Sequence, residues 1–99
     1  MPFSHGPYPF TVAGINSANE IGSVYGLAKP SLTTLGRYTI LYVGKTGNLR
    51  KRLQEHFNNP PASGITHFFA EVHGTEAART QREYALIQEF KPVGNTLLK

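Results

Sequence analysis

The segment that most constrains the fold is Arg37 to Val43, Arg-Tyr-Thr-Ile-Leu-Tyr-Val. β-Branched and aromatic residues crowd it, a composition that suits a pleated strand. One face carries Tyr38, Ile40 and Tyr42, the other Thr39, Leu41 and Val43, so both are largely apolar. A strand of that kind has to be covered on both sides, which predicts helices packed on a sheet with this strand at its centre. A chain of 99 residues has room for one such unit, near the lower end of what folds unaided.

The flanking sequence fills in the rest. Ser23 to Ala28 suits a short strand ending at Lys29-Pro30, with a loop from Ser31 to Gly36. Gly44-Lys45-Thr46-Gly47 is turn material, and Asn48 can cap a helix running to about Phe57. Leu49, Leu53 and Phe57 form its buried stripe, and Asn58-Asn59-Pro60-Pro61 ends it. Thr66 to His73 reads as a third strand, after which Thr75 can cap a helix from Glu76 to about Phe90, closed by Lys91-Pro92. Residues 1–21, rich in Pro, Gly, Ser and Asn, read as a partly ordered lead-in that packs Phe10, Val12 and Ile15 on a domain spanning 22–99. The expected class is α/β (α+β): a small three-stranded, largely antiparallel sheet flanked by helices.

The charge distribution fits either a solvated basic surface or one that faces phosphate. Ten Lys and Arg face six Glu and no Asp, and no acidic residue falls between Glu20 and Glu55. Lys29, Arg37, Lys45, Arg50, Lys51 and Arg52 all lie in that interval. Without cysteine there is no disulfide framework and no thiolate zinc site. No stretch approaches the roughly 20 apolar residues of a membrane span. The opening Met1-Pro2-Phe3-Ser4-His5 has no basic region leading into an apolar run, so no secretory signal is expected. The expected setting is cytoplasmic or nucleoid-associated.

Two charged residues break the apolar patterning. On the first helix Arg50 and Lys51 rotate into solvent, whereas Arg52 and His56, four apart, flank the buried stripe. The Arg52 guanidinium there either snorkels over the core edge or points into a pocket. On the second helix Tyr84, Leu86, Ile87 and Phe90 form a buried arc, and Glu83 falls within it. A carboxylate on a buried face needs a partner. The candidates are Arg52, a metal ion, or a helix tilt that opens that face to solvent.

These residues also spell a pattern. Tyr42-Val43-Gly44-Lys45-Thr46, then Asn48-Leu49, Arg52-Leu53 and His56, resemble the second signature of the GIY-YIG nuclease superfamily. Glu83 with Leu86-Ile87, then Pro92 and Asn95, is similar to the close of that domain in the bacterial excision-repair endonuclease subunit. Ser23-Val24-Tyr25 stands for the first signature, with Ser23 where the family usually has Gly. The likeness runs from about Gly22 to Thr96. Five matched elements in order, each on the element type expected independently, make it specific.

The resemblance implies a metal-dependent endonuclease acting on duplex or branched DNA. By that likeness Glu83 binds one divalent cation, Mg²⁺ or Mn²⁺, and Arg52 neutralises charge on the phosphoryl oxygens. Tyr25 and Tyr42 face the attacking water and the phosphate, one of them as general base. Lys45 and His56 assist, Gly44 and Asn95 support the site, and Lys45, Arg50 and Lys51 contact nucleic acid. A partner protein or domain would add specificity. A two-metal site normally wants several converging carboxylates, which a chain with scattered Glu and no Asp supplies poorly, so one metal is expected. Arg52, Lys45 and the ion are expected to lower the pKa of a tyrosine base. The alternatives are a non-catalytic nucleic-acid-binding module on the same fold, and an interaction domain in which Arg52 and Glu83 form only an ion pair.

Overall fold

A computed structural model describes Phe3 and residues 5–97, the side chains of Thr96 and Leu97 excepted; Met1, Pro2, Ser4, Leu98 and Lys99 lie outside the described residues, and with them most of the opening Met1–His5 segment. The elements in chain order are β1 (His5–Pro9), α1 (Val12–Asn16), β2 (Ser23–Pro30), β3 (Tyr38–Thr46), α2 (Leu49–Asn58), β4 (His67–Val72), α3 (Glu76–Phe90) and α4 (Val93–Leu97). The expected order of strand, strand, helix, strand, helix is present and extended at both ends. The strands form one sheet ordered β1-β4-β2-β3, and every pairing is antiparallel.

Five expectations about the sheet are corrected. The sheet has four strands, because the lead-in contributes β1 on the outer edge of β4. The segment around Ile40 is not central; β3 is an edge strand, and β2 lies between β3 and β4. Both its faces are covered, but the expected faces are exchanged part-way: a register shift leaves Leu41 without a β2 partner, so Ile40 joins Val43 on one core while Tyr42 packs on the other. Gly44-Lys45-Thr46 continues β3 and is no turn, pairing with Tyr25, Val24 and Ser23. Likewise β2 runs through Lys29 to Pro30, an edge-compatible position at the strand's end.

Each sheet face carries its own core. Tyr25, Leu27, Phe68 and Ala70 pack against Ile15 and Ala18 of the lead-in and Leu49 and Leu53 of α2. The opposite face packs Val24, Ala28, Ile40 and Val43 against Leu86, with Phe3, Ile87 and Phe90 at the margin. The stripe of α2 differs from expectation: Phe57 is 41% exposed, and His56 is buried with Leu49 and Leu53. An i, i+4, i+7 stripe replaces strict four-residue steps, because 3.6 residues per turn carries Phe57 off the face. On α3, Tyr84 is 66% exposed for the same rotational reason. In the lead-in Phe10 and Ile15 are buried while Val12 is exposed.

Both caps form as the residues suggest. The Asn48 side chain accepts from Lys51 N, and that of Thr75 accepts from Ala78 N. Beyond Pro92, which cannot continue α3, the short α4 lies along the free edge of β3. Asn95 Oδ1 accepts from Val43 N at 2.7 Å, and Asn95 Nδ2 donates to Val43 O at 2.8 Å. One side-chain amide thus stands in for a missing neighbouring strand.

Candidate active site

The central strand aims Tyr25 at the helix face, where it is fully buried. Its hydroxyl has space because position 44 is glycine; any Cβ there would collide with the Tyr25 Oη. Tyr25 Oη lies 2.7 Å from His56 Nε2 on α2, a contact in which either group can donate. Tyr42 closes a triangle, with ring centroids 6.3 Å from Tyr25 and 5.2 Å from His56. Asn95 holds the intervening Val43, so α4 fixes the backbone between Tyr42 and Gly44. Gly94 permits that approach, since a Cβ there would sit 2.5 Å from Leu41 O.

Arg52 and Glu83 reach this cluster from different helices. Arg52 projects beside the Tyr25 hydroxyl and bonds Glu55 Oε1 at 2.8 Å. Its carboxylate partner is therefore its own helix neighbour and not Glu83, which removes the simple Arg52–Glu83 ion pair. Both nevertheless act on one phenol: Arg52 favours the ionised form of Tyr25 and Glu83 opposes it. Glu83 is half-buried, and among the described residues its carboxylate forms no hydrogen bond or ion pair. Burial holds its pKa above the usual carboxylate range; Lys45 pulls it down and Glu76 pushes it up.

Lys45 lies across the start of α3, where its ammonium donates to Glu76 and, at 2.8 Å, to Thr80 Oγ1. Glu76, Thr80 and Glu83 are spaced i, i+4, i+7, so one face of α3 presents all three toward Lys45. Glu76 is not among the site residues expected from the sequence, and that spacing was the available signal for its contact with Lys45. Of the other predicted contacts, Lys51 is exposed, while Arg50 is tied to Ala18 O at 2.8 Å and to Glu20 at 3.5 Å. Tyr25, Tyr42, His56, Arg52 and Gly44 are brought together, and Lys45 joins them through Glu83. Arg50, turned toward the lead-in, and Lys51, turned toward solvent, stand apart from this cluster.

Arg52 lowers the Tyr25 pKa as expected, but burial outweighs it. Burial, then Tyr42, pushes the Tyr25 phenol well above the ordinary tyrosine range; Arg52 only partly offsets them, and Glu83 adds to the rise. His56 moves the other way, pushed down to about 4 by burial and by the Arg52 charge. A protonated phenol beside a neutral imidazole is the resting state near pH 7.

Comparison with known proteins decides the family. The model of the GIY-YIG catalytic domain matches residues 35–97, more than half of the chain. The chain belongs to the GIY-YIG family. It is 39% identical over 70 residues to UvrABC system protein C of Paenarthrobacter aurescens, a match covering 61% of this chain and 10% of that protein. It is 36% identical over 69 residues to the protein of that name from Pseudomonas savastanoi pv. phaseolicola, covering 62% and 11%. The chain thus matches about a tenth of the length of these curated relatives. In fold it is similar to the GIY-YIG N-terminal endonuclease domain of UvrC from Thermotoga maritima bound to magnesium. That match has a TM-score of 0.63 at 23% identity and covers 81% of this chain and 89% of that one. A point mutant of that domain, bound to its catalytic divalent cation, matches with a TM-score of 0.64 at 23% identity, covering 81% and 88%. The GIY-YIG match begins at residue 35, so β1, α1 and β2 extend the described sheet and core beyond it.

Proposed function

We propose that this GIY-YIG domain is an endonuclease that hydrolyses DNA phosphodiester bonds with one divalent cation, Mg²⁺ or Mn²⁺, held at Glu83. The observation that carries the reading is the Glu83 carboxylate: half-buried, without a hydrogen bond or ion pair among the described residues, and within electrostatic reach of the phenol that Arg52 also faces. A desolvated carboxylate with free lone pairs fits a hard cation that keeps several waters and takes its remaining ligands from the substrate. Among the described residues no three His, Cys, Asp or Glu side chains cluster as a metal cage, so one carboxylate plus water and phosphate oxygens is the coordination in keeping with the fold. The cation, when bound, would polarise the scissile phosphate and stabilise the leaving oxygen.

The chain's own groups supply the rest. Arg52 offers a fixed positive charge beside the Tyr25 hydroxyl, suited to the charge that builds on phosphoryl oxygens. The Tyr25 phenol is a poor base by itself, but it can pass its proton to neutral His56 Nε2 at 2.7 Å while accepting one from an attacking water. Tyr42, less buried than Tyr25, orients that water or the phosphate. Lys45 leaves Glu76 and Thr80 to meet phosphate, while Gly44 and Asn95 hold the β3 backbone between these groups. Exposed Lys51 offers positive charge to the duplex, and Arg50 would join it by leaving Glu20.

Residues 22–99 form the nuclease unit in this reading, and residues 1–21 buttress it. DNA repair or recombination in the cytoplasm, alongside the nucleoid, is the matching setting. The small surface offers little reading of base edges, so a partner protein or domain would add specificity. Plasmid nicking with and without Mg²⁺, beside the Glu83→Ala and Arg52→Ala proteins, tests the proposal. Nicking should require the metal and disappear in both variants while their circular dichroism stays native. Isothermal titration of Mg²⁺ gives an independent readout that Glu83→Ala should abolish. Salt-dependent DNA binding with no cleavage at any metal concentration would leave a binding module on the same fold.

A further inference from the structure

The β2–β3 hairpin ends in a tip that the proposed chemistry does not use. Residues Ser31 to Arg37 fold into two successive turns sharing Thr34. In the first, Ser31 Oγ accepts from Thr33 N and Thr34 N, both at 3.2 Å. In the second, Arg37 N donates to Thr34 O at 3.2 Å, and Gly36 has φ +79°, as position i+2 of a type II turn requires. Ser31 N donating to Arg37 O at 2.8 Å closes the base. Each turn carries a leucine at its i+1 position, Leu32 and Leu35, and these side chains are 91% and 102% exposed. A single exposed leucine is ordinary, but a hydrogen-bonded tip presenting two of them needs an occupant.

The surrounding charge indicates which occupant. Lys29 and Arg37 bracket the tip, and neither has an acidic partner among the ion pairs of the described residues. Leu32 and Leu35 fall within the stretch from Glu20 to Glu55 that holds no acidic residue. Lys29 stands near the end of β2, four residues beyond Tyr25 on the same strand. From Tyr25 to Pro30 the strand advances about 17 Å. That separation between the tip and Tyr25 corresponds to about five base-pair rises of a duplex.

We infer that the Leu32–Leu35 tip is a DNA wedge: its leucines insert into the duplex and unstack a base step while Lys29 and Arg37 hold the flanking phosphates. Apolar wedges on a basic support are a general means of kinking a duplex, and the two turns fix the leucines before binding, which lowers the ordering cost. The kink would open the strand toward Tyr25. The inference rests on DNA being the substrate, and its test is therefore run without metal, as binding rather than cleavage.

Duplexes carrying 2-aminopurine at successive positions are titrated with the wild-type chain, Leu32→Ala/Leu35→Ala, and Lys29→Ala/Arg37→Ala, over a range of salt. Wild-type protein should raise the fluorescence at one or two adjacent positions. The leucine variant should bind about tenfold or more weakly, abolish the rise and keep the salt slope. The Lys29/Arg37 variant should lower that slope by about two. A wild-type chain that nicks DNA with Mg²⁺ yet gives no fluorescence rise, or a leucine variant that binds and unstacks as wild type does, would overturn the wedge. Unchanged DNA binding together with leucine-dependent self-association in sedimentation would place the tip in a protein contact and also overturn it. A leucine-dependent rise without any metal-dependent cleavage would sustain the wedge while removing the nuclease proposal.

Discussion

Glu83, the proposed metal ligand, works against the stability of the fold. Burial raises its pKa, so at neutral pH the folded state holds a charge it disfavours. Glu83→Gln should therefore melt above wild type at pH 7, with the gap closing as pH falls and the wild-type carboxyl becomes protonated. The same substitution should lower metal-dependent nicking on the order of a hundredfold or more. Differential scanning fluorimetry across pH, beside a nicking assay, checks both halves. His56 gives a second pH dependence. Unfolded His56 takes a proton at its ordinary value of 6.5, but in the fold only near about 4. Between those values the unfolded state binds more protons, so His56's contribution to stability is complete above 6.5 and is lost as pH falls toward 4. Urea denaturation over that window should show the decline, and His56→Gln should flatten it.

Among the elements, the short α4 contributes more than its length suggests. It leaves β3 without an open backbone group at Val43, because Asn95 satisfies both the N–H and the C=O there. Asn95→Ala should cost about 1–3 kcal/mol by leaving those groups unpaired. It should also lower nicking, since Tyr42 and Gly44 flank the loosened residue. Urea denaturation and initial nicking rates measure the two effects, and an unchanged midpoint would remove this role. α3 also serves two ends: Leu86 seats it on the sheet, while Glu76, Thr80 and Glu83 turn one face toward Lys45.

For the whole molecule, the lead-in completes the fold. β1 covers the outer edge of β4, and Phe10, Ile15 and Ala18 belong to the core around Tyr25. A chain starting at Gly22 would lose those side chains from the core and expose a hydrophobic strand edge. It should be less stable by at least about 3 kcal/mol, given 1.5–3 kcal/mol for each large buried side chain, and prone to associate. Thermal melting and size-exclusion chromatography of the two forms test this. A shortened chain that stays monomeric with an unchanged midpoint would overturn it.

The sequence by itself determined the order of the main elements, both helix caps and the family, and it singled out Tyr25, Tyr42, Arg52 and His56, which the fold brings together. Those properties rest on local rules, since periodicity, capping chemistry and motif spacing act over a few residues. Tertiary structure alone decided which strand is central, that Gly44 to Thr46 extends β3, and that β1 joins the sheet. It also decided that Arg52 lies beside the Tyr25 hydroxyl, that Tyr25 meets His56, and that burial raises the Tyr25 pKa. Each of these depends on which distant segment lies opposite, and the sequence pattern around a residue does not specify its neighbours across a sheet. Strand order follows from contacts between residues far apart in the chain, and a buried group's pKa follows from the water those contacts exclude.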